Sequence, residues 1–191
     1  ERREHRLSLF QRLTFSVGHV LNDLCASMWF SYLLVYMHYI NHFHNTTAGV
    51  LLLIGQTADA IATPFVGIES DKDHDWFLCK FGQRKTWHLF GTICVLFSFP
   101  FIFNRCISCE NSFQQAQIVY YAAFIVIFQF GWASVQISHL SLIPDLTPYS
   151  HERIELNAWR YAFTVISSIT VYIITWIVLQ TGTDTNKDQL D

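Results

Sequence analysis

Apolar residues in this chain gather into long, nearly unbroken stretches instead of short amphipathic stripes. Five are long enough to cross a bilayer: about 13–37, 48–68, 87–103, 118–143 and 159–179. A hydrocarbon core of about 30 Å takes roughly 20 mostly apolar residues of helix. Helix is the predicted spanning form, because lipid cannot satisfy exposed backbone N–H and C=O groups. None of the stretches shows the period-two alternation of a barrel strand. Pro64 and Pro100 stand late in the second and third stretches, where a proline removes a helical hydrogen bond and favours a kink. The expected fold class is an all-α membrane protein of five transmembrane helices. A short segment, 1–12, precedes the first helix, and 181–191 follows the fifth.

Composition agrees. Hydrophobic residues make up 51% of the 191 and charged residues 14%, against about 25% charged in an average soluble domain. A water-soluble unit of this make-up would lack the charges to coat its surface. A net charge of −3 gives no electrostatic footprint for a nucleic-acid partner. The chain opens at Glu1 without Met, and Arg2, Arg3, Arg6 and Arg12 precede a stretch too long and too polar for a signal peptide. It reads as a piece of a longer protein.

Lys and Arg set the orientation. One side of the membrane receives Arg2, Arg3, Arg6, Arg12, Lys72, Lys80, Arg84, Lys85, Arg153 and Arg160, and the other only Arg105 and Lys187. This asymmetry predicts a cytoplasmic N-terminus. Asn45-Thr46-Thr47 is then an N-glycosylation sequon in the first outward loop, close to the membrane.

Polar residues inside the spans carry the functional signal, since a charge at mid-bilayer costs about 2.5–3.5 kcal/mol and normally faces a cavity or a partner. His19, Asn22 and Asp23 share one helical face of the first span, and Gln56, Asp59 and Thr63 one face of the second. Gln129, Trp132, Gln136 and His139 form a stripe on the fourth, while Arg160 and Thr164 lie one turn apart on the fifth. Helices around an aqueous cavity need such faces. Each group has a plainer reading: His19, His139 and the glutamines as interhelical hydrogen-bond partners, Arg160 as an interfacial anchor. Asp23 and Asp59 are harder to explain by packing alone. Cys106-x-x-Cys109 fits either an extracytoplasmic disulfide or two free thiols. No nucleophile–base pair or metal-ligand cluster stands at helical spacing, so no catalytic residue, metal or cofactor is expected.

Two loops resemble a known family. Gly67-x-x-x-Asp71-Lys72, followed after an insertion by Gly82-Gln83-Arg84-Lys85, resembles the major facilitator motif G-x-x-x-D-[RK]-x-G-x-[RK]-[RK] between second and third helices. Glu152-Arg153, Leu156 and Arg160 resemble the E-R-x-x-L-x-x-x-R pattern of the glycoside–pentoside–hexuronide cation symporter branch. Longer runs, including Gly18-His19, Leu21 to Trp29, Phe97 to Phe103, Phe124 to Ala133, Gln136 to Pro144 and Arg160 to Val165, are similar to the cysteine importers of lysosomes and melanosomes within that branch.

The resemblance implies a twelve-helix alternating-access carrier. These five helices would belong to its N-terminal six-helix bundle, with the sixth helix and the C-terminal bundle of the same protein as missing partners and membrane lipids around them. Gly67, Asp71, Arg84 and Lys85 would form the conformational gate. Melibiose-type members hold sugar and cation with acids on the first, second and fourth helices. Asp23 and Asp59 match two of them, while Thr63 and Gln136 stand where acids are found, so sodium coupling of that type is not expected. Proton coupling through Asp59, His19 or His139, or uncoupled exchange, stays open. The implied substrate is cysteine, with Asp23, Arg160, Gln136, His139 and Asn22 as binding residues. The alternatives are a sugar–cation symporter and a non-transporting membrane scaffold.

Overall fold

The computed structural model describes residues 7–72, 82–107, 109 and 112–187, with side chains described through residue 181. Arg2, Arg3, Arg6, Lys80 and the insertion in the loop after the second span fall outside the described residues. Among those described there is no strand. Helix α1 runs Leu9–Val17, α2 Val20–Val35, α3 Asn45–Asp71, α4 Gln83–Ile102, α5 Gln114–Ser141, α6 Ile143–Leu146 and α7 Ser150–Lys187. Five helical stretches are long and apolar enough to cross a membrane: Leu9–Ile40, Asn45–Asp71, Gln83–Ile102, Gln114–Leu146 and Ser150–Thr181. They are longer than the apolar runs that announce them, because helical geometry continues into polar turns with their own backbone bonds. At the start of α1, Ser8 and Gln11 form a reciprocal capping box, which satisfies two N–H groups that a helix start leaves open. In the same way α7 begins at Ser150, well before Trp159, and continues past Leu179 to Lys187.

The first span is not one helix. α1 stops at Gly18, whose N–H turns back to Phe15 O, and α2 restarts after His19. The span then ends in a π-helical turn, Tyr36–Ile40, a widened geometry often found beside functional sites. Both prolines lie inside helices, Pro64 in α3 and Pro100 in α4.

α3, α4 and α5 pack tightly together, and α7 lies along α1 and α2. The core between α2, α3, α4 and α5 is aromatic and aliphatic: Trp29, Leu33, Met37, Leu51, Val95, Ile102, Tyr121, Ile125 and Phe128. Glycines set the closest approach. A Cβ on Gly91 would sit 2.7 Å from Gly131 O, and one on Gly131 would sit 2.8 Å from Gly91 O, so the α4 and α5 backbones touch where neither residue has a side chain. Small residues do this in membranes, where lipid gives no hydrophobic drive for helices to associate. By contrast α7 leaves Ile166, Ile173, Trp176 and Ile177 exposed. In a bilayer such a face meets lipid or another helix.

Candidate functional site

The break between α1 and α2 turns His19 inward, and α7 runs parallel to α2 so that the two helices present matching positions turn by turn. Four contacts follow, each joining residues 141 apart in sequence. Arg160 Nη2 lies 3.2 Å from His19 Nε2, and Thr164 Oγ1 donates to Asp23 Oδ2 at 3.1 Å. Ser27 and Ser168 hydroxyls meet at 2.9 Å, and Ser31 Oγ meets the Tyr172 hydroxyl at 3.0 Å. Residues 19, 23, 27 and 31 are spaced by four, as are 160, 164, 168 and 172, so both sets stay on facing stripes. The result is a polar ladder with its charged rungs at the end nearest the helix break.

Around those rungs the polar groups are buried. His19 is 1% exposed, Asn22 2%, Asp23 6% and His139 3%, while Arg160 and Gln136 are half-buried. Asp23 and Arg160 carry opposite charges but meet through His19. The imidazole Nδ1 lies 3.0 Å from Asp23 Oδ1, although out of line for a hydrogen bond. Asn22 Nδ2 approaches His19 Nε2 at 3.3 Å, and Gln136 Oε1 accepts from Arg160 at 3.5 Å. His139 is held differently. Its Nε2 bonds Phe15 O at 2.8 Å and its ring stacks on Phe15 at 4.1 Å between centroids, so His139 also ties α5 to α1. His88 of α4 faces it with centroids 6.0 Å apart.

Asp59 stands apart. Its recorded hydrogen bond is from Thr63, at 3.2 Å, and it lines a separate small cleft with Trp29, Gln56, Gln129 and Trp132. Among the described residues no hydrogen bond or ion pair links it to Asp23. No three His, Cys, Asp or Glu side chains converge there in a way that would hold a metal.

At the basic end of the bundle, Arg84 Nη1 reaches Asp145 Oδ2 at 2.6 Å and Arg84 Nη2 reaches Asp71 Oδ1 at 3.3 Å, with a further bond to Ser141 O. One guanidinium thus joins the ends of α3, α4, α5 and α6. Lys85 is exposed, and a Cβ on Gly67 would meet nothing within 4 Å. Glu152 makes a second clamp. It accepts from Leu7 N at 2.9 Å and Thr147 Oγ1 at 2.7 Å, with Arg12 at 3.7 Å and Arg12 also paired to Glu155. At the opposite end Asn45 opens α3 and is exposed, and Cys106 and Cys109 are joined in a disulfide.

The structure therefore gathers His19, Asn22, Asp23, Gln136 and Arg160 into one cluster, with His139 at its edge, and leaves Asp59 outside it. The sequence reading did not single out Ser27, Ser31, Ser168 and Tyr172. The signal was available as hydroxyls repeating every fourth residue in two spans, but hydroxyls in membrane helices commonly bond their own backbone. Ser27 and Ser168 do so as well.

A family model described as "MFS/sugar transport protein" matches residues 14–189. The chain is 56% identical to human major facilitator superfamily domain-containing protein 12 over 91% of its own length and 36% of that protein. It is 24% identical to the chicken sodium-dependent lysophosphatidylcholine symporter 1, over 86% of the chain and 30% of the relative. It is 23% identical to the isoprimeverose transporter of Lactiplantibacillus pentosus, over 87% and 34%. The chain spans about a third of the length of the curated relatives it matches.

Proposed function

We propose, from the premise that this chain belongs to the MFS/sugar transport protein family, that the full-length protein carries a small zwitterionic solute across a membrane by alternating access. The protein is a multi-pass helical membrane transporter and not an enzyme. Cysteine is the substrate we assign, and import into lysosomes or melanosomes the setting, with the N-terminus cytoplasmic. The carrying observation is the pair of opposite charges, Asp23 and Arg160, held between the first and fifth spans with His19 between them. A free amino acid offers one group to each. Its carboxylate matches the planar fork of a guanidinium, and its ammonium matches a carboxylate that holds one hydroxyl bond.

Gln136 and Asn22 supply neutral hydrogen-bonding groups at the edges of this pair. Asp59, in its own cleft, suits an ion-coupling role distinct from solute binding. The Arg84 junction with Asp71 and Asp145 suits a gate, because breaking one guanidinium contact set would free the ends of four helices together. The sugar–cation alternative draws on relatives named for a sugar and for sodium, but two carboxylates of that arrangement are Thr63 and Gln136 here.

Uptake of radiolabelled cysteine by the full-length protein in proteoliposomes tests the assignment. Asp23→Asn and Arg160→Lys are each expected to lower uptake about 10- to 100-fold, the equivalent of a lost charged hydrogen bond of about 1.5–3 kcal/mol. Saturable sugar uptake in place of cysteine would favour the symporter reading. No saturable uptake of either would favour a scaffold.

A further inference from the structure

The geometry points to His19 as a proton-operated latch on Arg160: a proton on Nε2 releases the guanidinium to take the solute's carboxylate, so proton and solute bind together. This rests on the solute reading above and assigns a coupling proton to His19, beside the ion-coupling role of Asp59 in its separate cleft.

The atoms that can donate fix the tautomer. A guanidinium has five N–H groups and no acceptor, and it stays protonated. With Arg160 Nη2 at 3.2 Å, His19 Nε2 must therefore be the acceptor. The imidazole is then neutral, with its single proton on Nδ1, the nitrogen that faces Asp23 Oδ1 at 3.0 Å. In this state the cluster carries Arg160⁺ and Asp23⁻ around a neutral ring.

Asn22 offers the protonated ring an acceptor. Asn22 Oδ1 is buried and has no hydrogen-bond partner, while its Nδ2 points at His19 Nε2 from 3.3 Å. Two donors thus crowd one lone pair, and an acceptor on the same amide stands idle. Rotating the amide exchanges its ends, and Oδ1 then receives Nε2–H. The residue beside the histidine is built to serve either protonation state. Arg160 is served by neither after that step. Its contact to His19 becomes a repulsion, its bond to Gln136 is already long at 3.5 Å, and its Nε is unpartnered. The freed guanidinium is a vacant bidentate donor for a carboxylate.

Release of the guanidinium gives the coupling its sign. In the balance of charge, protonation takes the cluster from net zero to +1, and a zwitterion, whose ammonium and carboxylate cancel, leaves it there. The proton comes from the aqueous side open at the time and leaves from the other side, with no bond broken but N–H. Every titratable group facing the ring enters this balance. Asp23 lies on its own span and Arg160 on α7. His139 on α5 stands with its centroid 5.2 Å away, and His88 on α4 is in electrostatic range. His139 is the rival proton site, since its Nε2–H is committed to Phe15 O and its Nδ1 is buried without a partner. It touches no atom of Arg160 that the structure records, so its protonation would not unlatch the guanidinium.

The test measures the apparent affinity of the full-length protein in proteoliposomes for cysteine as pH is lowered from about 8 to 5. Linkage of one proton predicts tighter apparent binding, by up to about tenfold per pH unit. His19→Gln, which can still accept from Arg160 but cannot take a proton, should flatten that slope. Asn22→Leu, which leaves Nε2–H without an acceptor, should make the slope shallower and serves where His19→Gln does not fold. A flat wild-type profile with normal cysteine uptake overturns the latch and leaves the solute reading standing. So does a slope that survives in His19→Gln, or one that vanishes only in His139→Gln. Absence of cysteine uptake at every pH removes the solute reading and the latch with it.

Discussion

At the scale of single residues, Glu152 has the most to lose. Its carboxylate is buried at the start of α7 and receives a backbone N–H from before α1 and a hydroxyl from Thr147, with Arg12 alongside. Glu152→Gln keeps the shape but offers one acceptor oxygen where two are used, and it points an amide N–H₂ at a donor. A loss of about 1–3 kcal/mol is expected for the donor left unsatisfied. A lowered thermal midpoint in detergent checks it, and an unchanged midpoint would show that the clamp carries no stability. The sequence exposed this residue only through a family pattern. Asp23 and Arg160 were legible more directly, because a charge within an apolar run is unexplained until it has a partner. Partner choice was not legible. Nothing in the spacing of residues says that His19 stands between Asp23 and Arg160, or that Asp59 belongs to another cleft, since both depend on how separate helices are rotated against each other.

At the scale of helices, the number and class of spans were legible because the bilayer imposes them, and 17 Phe with 6 Trp left little else for the chain to be. The division of the first span at Gly18 and His19 was not. Neither residue forces a break alone, and at the interruption Phe15 and His19 contact α5 and α7. The crossing of α4 and α5 gives a sharper test. Gly91→Leu places a side chain where a Cβ would already lie 2.7 Å from Gly131 O and 2.7 Å from Ser134 Cβ, so the helices must separate. Overpacking of this kind costs about 1–3 kcal/mol. The expected result is early aggregation on heating, read by size-exclusion chromatography. Gly67→Ala, with open space around it, should leave that profile unmoved in the same assay.

At the scale of the molecule, the apolar outer face of α7 is open to lipid or another helix, and the chain spans about a third of the length of the relatives it matches. The basic residues order its two ends. If the N-terminus is cytoplasmic, Cys106 and Cys109 lie on the far side. In sealed vesicles an impermeant maleimide should then label them from that side alone, and only after reduction. With Cys79, which the sequence puts on the N-terminal side, replaced by Ser, labelling of Cys106 and Cys109 from that side would invert the topology. The polar ladder also has a geometric consequence for any slide of the first span along the fifth. Its teeth repeat at equal intervals on both helices, so a slide of one turn, about 5.4 Å, loses no hydroxyl pairing within the middle of the rack. Ser27 would engage Thr164, and Ser31 would engage Ser168. Both ends register the change: Tyr172 loses Ser31 and comes opposite Val35, while the guanidinium leaves the imidazole and arrives opposite Asp23. Such a seam would resemble a rack with two notches, indifferent along its shaft and distinguished at its ends, by which acid or base the arginine meets and by whether Tyr172 keeps a hydroxyl partner.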